Sequence, residues 1–89
     1  MRLHQSSVDG LKVGKRTSEK GIVERIDMIA RPLIYVSELA GQRIKSEILK
    51  PDGNPYQKAF LVDVDMETID GRPRAYRILE VHDVLDIDE

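Results

Sequence analysis

The chain has no cysteine and no tryptophan among its 89 residues, and its aromatics are limited to Tyr35, Tyr56, Phe60 and Tyr76. Without cysteine there can be no disulfide, thiolate nucleophile or thiolate zinc site, so nothing ties the fold to an oxidising compartment. No stretch approaches the ~18 consecutive apolar residues of a membrane span, and the opening MRLHQSSVDGLKVGKRTSEKG lacks the apolar core of a secretion signal. A soluble cytoplasmic protein with no membrane role is therefore expected. Histidine is scarce, with only His4 and His82. No glycine-rich phosphate loop, nucleophile elbow or histidine metal motif occurs. His82 lies beside Asp83, but neighbours on a strand point to opposite faces, so the two make a poor acid–base dyad. No second ligand or nucleophile is spaced to join His82, which reads as a half-exposed strand residue. We expect no catalytic residue, no cofactor and no enzyme.

What is present fits one small domain, because a chain this short buries only about 60 to 65% of the surface its unfolded form exposes. Hydrophobic residues make up 40% of it and charged residues 34%. The charge is unevenly placed. Residues 1 to 50 carry ten Lys or Arg against six acids, and residues 51 to 89 carry four against ten. A split of this kind favours self-complementary contacts, or a partner drawn to one end.

Residues 1 to 17 are polar and basic and read as a mobile arm or an edge strand ahead of a single globular domain spanning 18 to 89. Ser18 can cap a helix in which Ile22, Ile26, Ile29 and Ala30 share a face, although the β-branched content also allows a strand and Gly21 weakens the helix. Pro32 ends this element, and PLIYVS is short, apolar and strand-like. Ser37 can cap a second helix with Ala40, Ile44 and Ile48 in a stripe and Pro51 as its stop, despite Gly41 inside it. Phe60, Val62, Val64 and Met66 then alternate with Leu61, Asp63, Asp65 and Glu67, which is a strand. Asp70-Gly71 supplies a two-residue hairpin turn, and a returning strand runs to about Leu85. Pairs whose numbers sum to 141 and pairs that sum to 142 both set acids opposite bases, and the sequence does not choose between them. The expected class is α+β: one or two helices followed by an antiparallel hairpin or meander. An all-β small barrel results if both helices are strands.

The stretch LVDVDMETIDG invites a calcium reading, but a helix-loop-helix calcium loop starting at Asp63 meets Thr68 where glycine is needed and Arg74 where the closing glutamate is needed. On a strand its carboxylates stand about 6.8 Å apart, too far to share an ion unless the tail acids Asp83, Asp86, Asp88 and Glu89 fold back. A weak site at Asp63, Asp65 and Asp86 is the resulting metal alternative. Single-stranded nucleic acid is a second alternative: Lys12, Lys15, Arg16 and Lys20 form a basic arm, Arg72, Arg74 and Arg77 crowd the hairpin, and Tyr56 and Phe60 offer stacking surfaces. The acidic stripe and a pI near 5.7 oppose it. The leading expectation is a non-enzymatic, self-associating protein–protein interaction or regulatory module. Its contact groups would be Asp63, Asp65 and Glu67 on one side and Lys12, Lys15 and Arg16 on the other.

Overall fold

A computed structural model describes residues 1–51 and 53–87. Five strands and one helix follow in order: β1 (Arg2–Gln5), β2 (Arg16–Ile22), β3 (Arg31–Tyr35), α1 (Glu38–Ile48), β4 (Lys58–Ile69) and β5 (Arg72–Asp86), with one 3-10 turn at Pro55–Gln57 before β4. The sheet is mixed, in the order β1-β2-β3-β5-β4, with β3 and β5 parallel and the other pairs antiparallel. It curls until β4 meets β1, but the contact is short. Arg2 pairs with Ala59, and Met1 and Phe60 exchange two backbone hydrogen bonds of 2.8 Å.

The α+β expectation holds, with one helix and not an all-β chain. Ser37 is the N-cap of α1, its hydroxyl accepting from the Ala40 amide at 3.1 Å, and Ala40 and Ile44 are buried as the stripe requires. Gly41 sits where the packing is tight. A Cβ there would collide with the Leu11 side chain and come within 3.2 Å of the Tyr35 ring. The region expected to start a first helix at Ser18 is instead β2 and a turn closed by Val23 accepting from Ile26 and Asp27. Of the proposed apolar face, Ile26 and Ile29 are exposed and Ile22 and Ala30 half-buried, while Glu19 and Gly21 take the inward positions of β2.

The hairpin turns where expected, with φ of +53° at Asp70 and +75° at Gly71, the positive pair that a type I′ turn needs. Its register takes both of the expected values and then goes further. Ile69 pairs with Arg72 and Thr68 with Pro73, summing to 141; Glu67 with Ala75 through Val64 with Ile78 sum to 142; Asp63 with Glu80 sums to 143; Leu61 with Asp83 sums to 144. Each step skips one residue of β5, namely Arg74, Leu79 and His82, so three bulges lie on β5. A bulge inserts an unpaired residue, bends its strand and increases the local twist. β5 accordingly spends 15 residues against 12 in β4.

The core joins Leu3, Leu33, Tyr35, Ala40, Ile44, Phe60, Tyr76 and Ile78, with Val62, Val64 and Met66 of β4 packed against it. Three of the four aromatics are thus interior, and Tyr56 remains exposed.

Residues 1 to 17, expected as a mobile arm or edge strand, contribute β1 and the start of β2. The segment between them forms a strap over α1. Lys45 Nζ donates to the Ser7 carbonyl at 3.1 Å, Leu11 packs over Gly41, and the Gly14 amide donates to the Tyr35 carbonyl at 2.8 Å.

Candidate functional site

β4 lies between β5 and the short contact with β1, and that asymmetry creates an edge. Phe60 directs both its backbone groups at Met1, away from β5. Since β4 carries no bulge, alternation directs the backbone groups of Val62, Val64, Met66 and Thr68 the same way. Beyond Phe60 no described strand pairs with that side. The Met66 amide instead takes the Asp65 carboxylate, at 2.8 Å, as its acceptor. Alongside the first part of this edge runs an open groove of about 780 Å³, lined by Met1, Ile22, Val23, Phe60, Val62 and Val64 among others, with Glu24 and Arg25 supplying charge.

The outward side chains of β4 include the predicted acidic row, and each of its acids has found a counter-group within the chain. Asp63 Oδ2 lies 2.9 Å from His82 Nε2, Asp65 Oδ2 accepts from Arg77 at 3.2 Å, and Glu67 Oε1 accepts from Arg16 at 2.7 Å. The 142 register brings Asp65 opposite Arg77, and the pairing of Arg16 with Ile34 in the sheet extends the ladder to β2. Arg16 therefore joins the acidic row it was expected to oppose on another molecule. Lys12 and Lys15 are exposed on the strap.

The calcium alternative loses its geometry. Asp65 is held by Arg77, and Asp86 is paired with Lys58 at the far end of the hairpin. Asp86 sits opposite Lys58, five residues along β4 from Asp63, or about 17 Å at strand rise. Lys58 holds the Asp86 carboxyl below its ordinary range. Asp88 and Glu89 lie outside the described residues. The nucleic-acid set is similarly divided. Tyr56 stands just before β4, its hydroxyl 2.8 Å from Ser6 Oγ, and Lys20 pairs with Gln5 at the same end. Arg72 and Arg74 lie at the far end of β4, opposite Ile69 and beside Thr68, roughly 35 Å along the strand from Lys58. Phe60 is buried, and Arg16 and Arg77 carry ion pairs.

Two features escaped the sequence. Glu80 stands directly opposite Asp63, and the His82 bulge brings the imidazole beside both, with Nδ1 4.0 Å from Glu80 Oε1. The hydrogen bond to Asp63, and then its charge, raise the His82 pKa above its usual value. Alternation alone groups Glu80 with His82, but pairing with Asp63 depends on bulges that no residue pattern announces. The second feature is a buried polar node. Glu19 Oε1 lies 2.6 Å from Lys45 Nζ and accepts from the Tyr35 hydroxyl at 3.2 Å. Burial first, and then the Glu19 charge, push the Tyr35 phenol far above its ordinary pKa. A carboxylate and an ammonium so enclosed need each other, and the strap carbonyl of Ser7 gives the ammonium a second acceptor. No protein-family model, curated protein or solved structure matches the chain.

Proposed function

We propose that this protein is a non-enzymatic interaction module that accepts an extended segment of a partner protein along the free edge of β4. One observation carries the reading: from Val62 to Thr68 the strand offers backbone groups with no partner strand, its first part beside an open groove that mixes apolar side chains with Glu24 and Arg25. Main-chain hydrogen bonds to such an edge give affinity, and alternate side-chain contacts give specificity. The inward row of β4 is apolar and the outward row is Asp63, Asp65 and Glu67. The segment that complements both alternates apolar residues facing the groove with Lys or Arg facing out.

A second copy of the chain is the weaker occupant. Two β4 edges paired antiparallel about Val64 set Asp63 of each copy opposite Asp65 of the other, and like charges directly opposite are unfavourable.

An eight-residue peptide alternating Val and Lys serves as the probe. It is expected to shift the amide resonances of Val62, Val64 and Met66, more weakly as salt rises. Val64→Pro removes one edge donor in a place where proline is tolerated, and is expected to abolish binding while the fold persists. Equal binding by a scrambled peptide of the same composition, or undiminished binding by Val64→Pro, overturns the reading. Concentration-dependent dimers in sedimentation that vanish in Val64→Pro would assign the edge to a second copy.

A further inference from the structure

On the hairpin's outer face the charge ladder fails where Asp63 meets Glu80. Asp65, Glu67 and Asp86 are each paired with an arginine or lysine, whereas Asp63 and Glu80 face one another across the strands with His82 as their nearby counter-group. Two opposed carboxylates repel, and a neutral imidazole does not cancel them. Carboxylates alone would make an ordinary acidic patch, but the imidazole changes the ligand chemistry. It supplies a nitrogen donor of intermediate softness, which hard oxygen-seeking ions such as calcium do not use well and borderline transition metals do.

We propose that Asp63, Glu80 and His82 form a binding site for a divalent transition-metal ion of the zinc class, with one carboxylate oxygen from each acid and one imidazole nitrogen as ligands. The three ligand atoms already lie within 4.8 Å of one another. A zinc ion holds such atoms at about 2.0 to 2.2 Å, so neighbouring ligands stand roughly 3.3 to 3.6 Å apart, and closing to that distance needs only about 1 Å of movement. All three side chains are exposed and free to make it. The backbone is already committed: the Asp63–Glu80 pair fixes two ligands on adjacent strands, and the bulge at His82 fixes the third beside them. Three protein ligands leave a tetrahedral ion one position for water or for a donor from a bound partner.

Zinc chloride titrated into the full chain, followed by NMR, tests the site. A single saturable event is expected, moving the His82 ring resonances together with the amides of Asp63 and Glu80. His82→Ala and Asp63→Asn should each weaken it at least tenfold, His4→Ala should leave it unchanged, and calcium should not compete. Added Mn²⁺ should broaden the same three residues first. No saturable change up to millimolar zinc overturns the proposal. So does binding that persists within twofold in His82→Ala, or binding that is lost in His4→Ala. The three substitutions are on exposed side chains, and the spectrum of each variant without metal reports its fold independently.

Discussion

Beneath the strap, Glu19 meets Lys45 with side-chain exposures of 1% and 9%, while on the outer face of the hairpin Asp65 meets Arg77 with about half of each side chain in water. The two pairs look alike as pairs of opposite charges and differ in what surrounds them. In the first, neither charge has water to return to. The Tyr35 hydroxyl and the Ser7 carbonyl complete a closed set, and that set ties β2, β3, α1 and the strap together. In the second, water solvates each partner nearly as well as its neighbour does. Environment, not the number of ion pairs, therefore decides which contacts hold the fold and which tune its surface.

The largest expected effect follows from removing one member of the enclosed set. Glu19→Ala leaves the Lys45 ammonium buried without its carboxylate and is expected to cost about 3 to 5 kcal/mol in chemical denaturation. The comparison sharpens if both charges go at once. Glu19→Met combined with Lys45→Met and Tyr35→Phe replaces the node with apolar side chains and is expected to recover most of that loss. A triple variant no more stable than Glu19→Ala would mean that the node's shape, and not its charge, matters.

A smaller loss is expected at Gly41. Alanine there improves helix propensity by about 1 kcal/mol, but its methyl group invades the space held by Leu11 and approaches Tyr35. Overpacking of this sort costs about 1 to 3 kcal/mol, so a net loss is expected, with the strap loosening first. Proton exchange at the Gly14 amide, which bonds to Tyr35, would report the loosening. Unchanged exchange would detach the strap from α1.

The same comparison explains what the sequence made legible. Where charge stays outside, as on β4, alternation reads directly, and the hairpin turn at Asp70-Gly71 and the Ser37 cap follow from local chemistry. Where charge goes inside, reading by hydrophobic period fails. Glu19 fills a core position, so β2 lacked the apolar alternation of a strand, while the exposed Ile26 and Ile29 imitated the face of a helix. Gly41 was misleading for a related reason: its meaning lies in Leu11, thirty residues earlier, and not in its own helix. The bulges on β5 were also beyond local reading, because both simple registers satisfied the charges and the structure uses each over part of its length. Of the candidate site, the acidic row was visible, but its cations, the free edge beside it and the approach of Glu80 to His82 were not.

On the hairpin face, Arg77→Ala is expected to change stability by about 0.2 to 1 kcal/mol, since both partners are well exposed. Raising the salt concentration should shrink that difference further, and should leave the Glu19→Ala loss largely intact. A loss from Arg77→Ala comparable to that from Glu19→Ala would erase the distinction between the two regions.

The smallest effect belongs to His82, and its sign is fixed by the direction of its shift. Asp63 raises the pKa of the folded imidazole above the unfolded value, so folding favours the protonated form. The resulting stabilisation is fully present below the unfolded pKa, near 6.5, and fades as pH rises through the higher folded value. Wild type should therefore melt above His82→Gln at pH 5.5, with the gap closing by pH 8.5, all in the presence of a chelator. Asp63→Asn should remove most of the gap, because the carboxylate is the main cause of the shift. A gap that widens with pH would mean that the neutral imidazole is the form the fold prefers, and that Asp63 and Glu80 do not act on it as their positions imply.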